Sequence, residues 1–322
     1  MLCGAPALVA AVDREVEVDV GLDGPRGALG VESLVENRCW RIERPEQEEI
    51  TGGDLGAVLA ALRVATAWAP ALAGRHAEVR VDARSFLLEG RKLGIGRSAA
   101  SVTAAVAAFL TAVGHDERAE IFEAAVAAHA LFQEGRGSGA DVAAAAHGGV
   151  IEFRRSGGRL AVTPRTLPAG LHLLVGWTGE GAATDPLLKR FASSAGAREP
   201  QALHDLVAIA ERAADAAARG DAGELMAAVH VSADLLDRLG HELDLPIVTP
   251  SLARLVASAR RVGAAAKPSG AGGGDCGIAL ATSAAQADAV RAAWREAGIV
   301  PLPLAITPAG VHPEAVREVS LG

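Results

Sequence analysis

The chain has 322 residues, of which 50% are hydrophobic and only 3% aromatic, with no tyrosine. We therefore expect a core built from alanine, valine and leucine, and the length suggests two domains or one large one. The net charge of −8 and the pI of about 5.6 argue against nucleic acid or an anionic membrane as the main partner. An anionic substrate would need a local basic pocket.

The cysteines and the apolar segments predict a cytoplasmic protein. The three cysteines (Cys3, Cys39 and Cys276) are odd in number and have no CxxC spacing, which favours free thiols in a reducing compartment. The apolar beginning of the chain lacks a basic segment before it, which argues against a signal peptide. The longest apolar stretch, 104–113, is too short to span a bilayer.

Hydrophobic periodicity predicts strands and helices that do not alternate strictly, which favours an α+β fold. The predicted strands are, in chain order, 7–12, 14–20, 37–42, 77–82, 149–154, 171–177, 277–281 and 299–306. The predicted helices are 54–69, 98–113, 117–133, 199–219, 221–239, 250–264, 284–297 and 312–319. Asp54 is expected to cap the first helix, and Thr249 the helix that starts at Pro250. A break in the pattern near 165 predicts domains at 1–165 and 166–322.

The most informative segment is KPSGAGGGDCGIAL, residues 267–280, with five glycines between Gly270 and Gly277. Glycine is used where φ is positive or where the backbone approaches another group closely. Successive exposed N–H groups in such a loop form a concavity that binds anions. The run leads directly into a short apolar strand, which argues against a flexible linker. Lys267 enters this loop, where we expect a mobile positive charge, and Asp275 is its only acid.

Two further glycine runs lie upstream. In KLGIGRSAASVTA (92–104), Gly94 and Gly96 predict a tight turn before a helix that Ser98 can cap. The free N–H groups and the positive end of the dipole at a helix start favour phosphate. In GRGSGAD (135–141), Asp141 follows a glycine turn.

Lysine usage points to the same loops. The chain has only three lysines, Lys92, Lys189 and Lys267, and two of them precede glycine runs. A compact ammonium acts on phosphate as a point charge. The lysines therefore support, without proving, two phosphate-binding loops.

These motifs, in this order, resemble those of the GHMP small-molecule kinases, and in detail the bacterial phosphomevalonate kinase branch of that family. The run 267–280 is close to the third motif of the branch, and GRKLGIGRSAA (90–100) is similar to its GxKLGLGSSAA. GSGADVAAAAHGGVIEF (137–153) resembles the second motif. LVGWTGEGAATDPLL (174–188) resembles VGWTGxPAST, and LDLPIVTPSLARLV (243–256) is similar to the stretch before the third motif.

The resemblance implies a two-domain fold, with an N-terminal α/β-sandwich domain and a C-terminal ferredoxin-like domain. It implies ATP and Mg²⁺ as cofactors, and transfer of the γ-phosphoryl group to 5-phosphomevalonate in isoprenoid precursor synthesis. No nucleic acid or membrane partner is expected, and the sequence leaves a homodimer open.

The resemblance also assigns roles to individual residues. The residues implied to be catalytic are Asp141, Lys92 and Ser98, and Ser98 is also the implied metal ligand. Those implied to bind the nucleotide are Gly94, Gly96, Arg97, Ser98 and Ala99. Those implied to bind the substrate are Lys267, Ser269, Gly270, Ala271, Gly272, Gly273, Asp275 and Ser138. Trp177 is expected to pack in the core or at a domain interface, and Thr178 and Gly179 either line the site or serve the structure.

The chain departs from the family pattern in two places. Arg97 stands where the family usually has the first serine of GSSAA. The family also opens with a strand and a GEYxVL turn, and Met1 falls inside that turn. We therefore expect either a start codon placed too late or a protein that lacks its first strand.

Two other functions stay open at this point. The first is a different GHMP kinase, such as a mevalonate or homoserine kinase, which would need a base for its alcohol substrate. The second is an inactive binding protein with the GHMP fold, which Arg97 and the shortened beginning of the chain both motivate.

Overall fold

The computed structural model describes residues 4–22, 27–135, 137–181, 190–191, 200–270 and 272–312. The strands in these ranges are β1 (Ala7–Ala10), β2 (Glu17–Gly21), β3 (Leu29–Ser33), β4 (Arg38–Ile42), β5 (Ala77–Asp82), β6 (Leu87–Leu88), β7 (Arg91–Lys92), β8 (Val150–Ser156), β9 (Arg159–Arg165), β10 (His172–Trp177), β11 (Ala265–Pro268), β12 (Cys276–Ala281) and β13 (Val300–Leu302). The helices are α1 (Gly53–Trp68), α2 (Arg97–Thr111), α3 (Arg118–Phe132), α4 (Ala140–His147), α5 (Gln201–Arg219), α6 (Ala222–Leu243), α7 (Pro250–Arg261) and α8 (Ala284–Glu296).

The chain divides into two compact units. The first unit draws on Met1–Val9, Arg91–Ile95 and Val150–Ile306, and the second on Ala10–Gly90, Gly96–Gly149 and Thr307–Gly322. Each compact unit is built from several segments of the chain, whereas the predicted domains are continuous ranges defined by family resemblance. The units therefore do not test the predicted boundary at 165, which stays a prediction.

The second unit contains a four-stranded sheet in the order β2–β5–β3–β4, in which β3 and β5 are parallel and the other pairs antiparallel. Helix α1 packs against both α2 and α3. Helices α1 and α2 carry fully buried alanines such as Ala60, Ala61 and Ala105, all with 0% exposure. Small side chains let helix axes approach closely, and this confirms the expected alanine-rich core.

The first unit contains a four-stranded antiparallel sheet in the order β11–β12–β10–β13. One of its core clusters contains Leu255, Trp294 and Ile299, and another contains Leu225 and Leu280. Gly277 on β12 leaves room for this packing, because a Cβ there would lie 2.6 Å from a methyl carbon of Leu255. Helix α7 can therefore lie directly on the sheet beside the third glycine run.

Seven of the predicted helices are confirmed to within a few residues, and an eighth, 312–319, lies almost wholly outside the described residues. The sequence pattern missed β3, β6, β7, β9, β11 and α4, and the strand predicted at 299–306 is limited to Val300–Leu302. Thr249 caps α7 as expected, accepting a hydrogen bond from the N–H of Leu252. The capping role predicted for Asp54 is wrong, because Gly52 is the N-cap of α1 and Asp54 lies within the helix.

None of the helices in the described ranges is long and apolar enough to cross a membrane.

Candidate active site

The third glycine run is the loop of a β-hairpin. β11 pairs with β12 in antiparallel register, with Pro268 opposite Gly277, and the N–H of Ser269 donates to the Cys276 carbonyl oxygen at 3.0 Å. Residues 272–275 have four successive positive φ angles, of 77°, 81°, 141° and 53°. Only glycine adopts such angles routinely, so this conformation explains the three consecutive glycines.

The hairpin loop, residues 269–275, is fixed by the segment before α7. The N–H of Gly273 donates to the Ile247 carbonyl oxygen at 2.9 Å. A Cβ at Gly272 would lie only 2.3 Å from the same oxygen. Gly272 is therefore required both by its φ angle and by close backbone approach.

The WTG sequence after β10 clamps the other side of the hairpin loop. Both the N–H and the hydroxyl of Thr178 donate to the Asp275 carbonyl oxygen at 2.9 Å, and the N–H of Asp275 donates to the Glu180 carbonyl oxygen at 2.7 Å. Ser251 on α7 donates to the Glu180 carboxylate at 2.6 Å. Thr178 is buried, so its role is structural, and it holds the loop in place.

The segment Arg91–Ile95 also contacts the hairpin loop. The Cys276 thiol donates to the Leu93 carbonyl oxygen at 3.2 Å, and burial raises the pKa of this thiol to about 12, so it stays protonated. A Cβ at Gly94 would lie 2.1 Å from the Asp275 carboxyl carbon. Gly94 is therefore needed because the Asp275 side chain lies directly on it.

Arg91 connects this segment to the clamp. Its guanidinium lies 5.0 Å from the ring centre of Trp177 and also donates to the Gly179 carbonyl oxygen. Trp177 is buried, as expected.

These anchors correct one expectation. The loop was predicted to present successive exposed N–H groups, but those of Ser269, Gly273 and Asp275 are bonded within the protein. Within the described part of the loop, the N–H groups of Gly270, Gly272 and Gly274 have no protein acceptor. Ala271, another predicted substrate contact, lies outside the described residues. The anion-binding capacity of the loop therefore depends on fewer donors than the sequence suggested.

The two site lysines of the first unit differ in their surroundings. Lys267 is half-buried on β11, where its ammonium donates to the Pro268 carbonyl oxygen at 2.8 Å, and burial lowers its pKa to about 8. The expectation of a mobile charge is therefore wrong for Lys267. Lys92 on β7 is exposed.

In the second unit, helix α2 begins at Arg97. Its N-cap is Gly96, with a φ of 91°, and no side chain in the described ranges caps the helix. The cap predicted for Ser98 is therefore wrong, since Ser98 is the second helical residue. The first N–H groups of a helix have no acceptor within it, so those of Arg97, Ser98 and Ala99 are available to an anion. Ala99 itself is buried and Ser98 is half-buried.

A buried carboxylate lies close to this helix start. Asp54 on α1 is 1% exposed, and one of its oxygens accepts a hydrogen bond from the Ser33 hydroxyl at 2.6 Å. Its other oxygen lies 3.9 Å from the Arg97 guanidinium. The sequence pattern missed this pair because Asp54 and Arg97 are far apart in the chain and Asp54 resembled a cap.

Asp141 occupies the first turn of α4, after Gly139 with its φ of 85°. Its carboxylate accepts a hydrogen bond from the N–H of Val142 at 3.0 Å, and the Ser138 hydroxyl accepts one from the N–H of Ala140 at 3.3 Å. His129 on α3 is fully buried, and burial lowers its pKa although the charge of Asp141 opposes the shift. His129 is therefore neutral at pH 7.

The structure thus brings together, in the first unit, four segments that the sequence singled out separately: 91–95, 178–180, 245–251 and 267–276. The other predicted residues, Arg97, Ser98, Ala99, Ser138 and Asp141, lie at the N-terminal ends of α2 and α4 in the second unit. Sequence reasoning did not single out Glu180, Ser251 or Ile247, although all three lie in stretches that it had marked. The bonds that Gly273 and Asp275 make to the carbonyl oxygens of Ile247 and Glu180 are backbone bonds. Such bonds do not depend on residue type, so the sequence could not predict them.

Comparisons with known proteins agree with this arrangement. Residues 58–149 match the family model for the GHMP kinases N terminal domain, and residues 213–300 match that for GHMP kinases C terminal. The chain is 35% identical to a phosphomevalonate kinase of Streptomyces sp. strain CL190, over 95% of this chain and 92% of the relative. It is 30% identical to a mevalonate kinase of Aeropyrum pernix, over 86% of this chain and 82% of the relative.

A solved structure shows the same fold. The phosphomevalonate kinase of Streptococcus pneumoniae, in complex with phosphomevalonate and AMPPNP, superposes with a TM-score of 0.77 at 21% identity, covering 94% of this chain and 93% of that one. The two family-model matches and the 35% identical relative show that the chain belongs to the GHMP kinase family.

Proposed function

We propose that this protein is a phosphomevalonate kinase, which transfers the γ-phosphoryl group of ATP to 5-phosphomevalonate and releases 5-diphosphomevalonate and ADP. The observation that carries the proposal is the glycine hairpin loop with its clamp, because these segments are the ones that resemble the phosphomevalonate kinase branch. The 35% identical relative with that name supports the same activity.

The start of α2 fits the phosphates of a nucleotide. It has no capping side chain, its first N–H groups lack intrahelical acceptors, and Gly96 keeps the approach open. We propose that Gly94, Gly96, Arg97, Ser98 and Ala99 form the ATP-binding segment. A hydroxyl is a suitable oxygen ligand for Mg²⁺, and the Ser98 hydroxyl would hold this ion, which neutralises charge on the phosphates when bound.

The hairpin loop fits an anionic acceptor. The N–H groups of Gly270, Gly272 and Gly274 have no acceptor in the described chain, and Lys267 supplies a cation at the base of the loop. We propose that the substrate phosphate is bound by this loop, including Ser269, Gly270, Ala271, Gly272, Gly273 and Asp275. Ser138, in the second unit, is proposed separately as a substrate-binding residue because the resemblance assigns it that role. Such local donors are needed because the chain carries a net charge of −8.

The acceptor chemistry sets the demands on the side chains. A phosphomonoester has a second pKa of about 6, so at pH 7 it is mostly a dianion that needs no proton removed. One of its oxygens attacks the γ-phosphorus, the bond from that phosphorus to the bridging oxygen breaks, and ADP leaves. Catalysis is then mostly positioning and charge neutralisation. We propose that Lys92 offsets phosphate charge and that Asp141 orients cations and does not serve as a strong base.

We also propose the domain division at 165, because the two family-model matches, 58–149 and 213–300, fall on either side of it. A cytoplasmic location is proposed from the cysteine usage, and it agrees with the free thiols of Cys39 and Cys276.

The test is substrate preference. With Mg-ATP and a coupled assay for ADP, kcat/KM is expected to be far higher for 5-phosphomevalonate than for mevalonate or homoserine. The relative from Aeropyrum pernix makes mevalonate the strongest competing substrate. Equal or better turnover of mevalonate would replace this proposal by a mevalonate kinase. Nucleotide binding without turnover of any of the three would favour the inactive binding protein.

A further inference from the structure

The start of helix α1 places a carboxylate in the protein interior of the second unit. Asp54 is 1% exposed, although it is the second residue of a helix. The Ser33 hydroxyl donates to one of its oxygens at 2.6 Å. Glu36 accepts from the N–H of Asp54 at 2.7 Å, and its own N–H donates to the Ser33 oxygen at 3.0 Å. The position of the Asp54 carboxylate is therefore fixed by its neighbours on two sides.

The positive partner of this carboxylate is Arg97, at the first position of α2. The distance from its terminal nitrogen to the second Asp54 oxygen is 3.9 Å, which is an ion pair but too long for a hydrogen bond. The Arg97 side chain is half-buried, with 26% of it exposed, and its guanidinium has no hydrogen-bond acceptor among the described residues. The five N–H donors of this guanidinium are therefore not used by the described part of the chain.

Two physical requirements then meet at one residue. The buried Asp54 carboxylate needs a nearby cation, because an unpaired buried charge is strongly unfavourable. The start of α2 offers N–H groups to an anion, and a guanidinium there can add charge-assisted hydrogen bonds to phosphate oxygens. An ion pair with Asp54 that lacks a hydrogen bond holds the guanidinium nearby and leaves its N–H groups free for that second partner.

We propose that Asp54 is a positioning residue for the nucleotide site, and that its buried carboxylate holds the Arg97 guanidinium where it donates to the phosphates of bound nucleotide. This inference rests on the proposed function only in requiring that a nucleotide binds at the start of α2. Ser33 contributes to the same positioning, because its hydroxyl donates to the Asp54 carboxylate.

The pair predicts an effect that depends on the background. With Arg97 present, loss of the Asp54 charge removes the anchor of the guanidinium and weakens nucleotide binding. With Arg97 replaced by serine, Asp54 becomes an uncompensated negative charge beside the phosphates, and its removal improves binding. The substitution Asp54→Asn keeps the size of the side chain and an oxygen for the Ser33 hydroxyl, so it isolates the charge.

The experiment is calorimetric titration of the full chain with Mg-ADP for four proteins: wild type, Asp54→Asn, Arg97→Ser and the double variant. Arg97→Ser is expected to weaken binding roughly tenfold to a hundredfold, the usual effect of a charge-assisted hydrogen bond. Asp54→Asn is expected to weaken binding in the wild type but to strengthen it about threefold or more in the Arg97→Ser background. Because the readout is Kd, it separates positioning from a general loss of activity.

A matched control separates positioning from stability. Glu152 on β8 is also buried and pairs with Arg154 and Arg165 at 2.6 Å. Glu152→Gln should lower the melting temperature without changing the Kd for Mg-ADP. If it changes Kd as much as Asp54→Asn does, the effect is one of stability and the inference is wrong.

The remaining outcomes are also decisive. Equal effects of Asp54→Asn in both backgrounds would show that the two residues act independently, which overturns the inference. A wild-type protein that binds no Mg-nucleotide overturns both this inference and the proposed function. If the wild type binds Mg-ADP but turns over no acceptor, the proposed function fails, whereas the same titrations still decide the role of Asp54.

Discussion

Replacing Lys267 by methionine removes the ammonium but keeps a side chain of similar length with an apolar stem. Lys267 lies on β11 with its ammonium bonded to a single carbonyl oxygen, that of Pro268. Burial lowers the pKa of this group from the ordinary 10.5 to about 8. The charged form is therefore less stable in the folded protein than in the unfolded chain, so Lys267→Met is expected to stabilise the fold while it damages the site.

The magnitude follows from the pKa. A fall from 10.5 to about 8 corresponds to about 3 kcal/mol of unfolding free energy, so the variant should gain up to about 3 kcal/mol at pH 7. Above pH 8 the folded protein loses this proton while the unfolded chain keeps it. The unfolding free energy of the wild type therefore rises between pH 8 and 10.5 relative to the variant, and the gain disappears across that window.

Activity should change in the opposite sense. If the Lys267 ammonium offsets phosphate charge, Lys267→Met should lower kcat/KM at least about tenfold, or about 1.4 kcal/mol of transition-state stabilisation. The wild-type kcat/KM should also fall above about pH 8, because it reports the ionisation of the free enzyme.

The assays are urea denaturation from pH 7 to 10.5 and initial rates over the same range. Lys92→Met is the matched control for stability, because Lys92 is exposed and its loss should change the unfolding free energy by less than about 0.5 kcal/mol. A Lys267→Met protein that is no more stable than the wild type at pH 7 would refute the claim that burial destabilises the charged form of Lys267. Unchanged kcat/KM in both variants would make the position of the lysines a coincidence.

Three further predictions concern the loop and the helix start. In Gly272→Ala the new Cβ would lie 2.3 Å from the Ile247 carbonyl oxygen. The unfolding free energy should therefore fall by more than in Gly270→Ala, where φ is also positive but the Cβ would meet open space and the cost is roughly 1–2 kcal/mol. Equal losses of unfolding free energy in urea denaturation would contradict the close approach of Gly272 to Ile247. Thr178→Val keeps the shape but removes the hydroxyl that donates to the Asp275 carbonyl, so it should cost about 1–3 kcal/mol and lower kcat, and a fully active variant would show that the clamp is dispensable. Ser98→Ala should raise the Mg²⁺ concentration needed for half-maximal rate and lower kcat at least about tenfold, and an unchanged Mg²⁺ dependence would remove Ser98 from the metal site.

Most helices could be predicted because their apolar periodicity and caps are local signals. The missed strands have polar residues for reasons that only the sheet reveals. β3 lies between β4 and β5, and its buried Ser33 is bonded to Asp54. β9 contains Pro164 and exposes Arg159 and Thr163 to solvent, which an edge strand tolerates. β11 was read as part of the loop because it ends in Lys267 and Pro268.

The candidate site divides in the same way. Glycine spacing identified Gly94, Gly96 and the hairpin loop, and the positive φ angles confirm why glycine stands there. The caps at Ser98 and Asp54 were predicted wrongly, because Gly96 and Gly52 are the N-cap residues of those helices. The ion pair between Arg97 and Asp54 could not be read at all, since it joins residues on two different helices.

The most direct test of the proposed activity is to follow the reaction products by ³¹P NMR. The protein, Mg-ATP and 5-phosphomevalonate should convert the monoester resonance into a pair of coupled diphosphate resonances while ADP appears in equal amount. A persisting monoester resonance beside intact ATP, or consumption of ATP only when mevalonate replaces its phosphate, would contradict the proposed phosphomevalonate kinase.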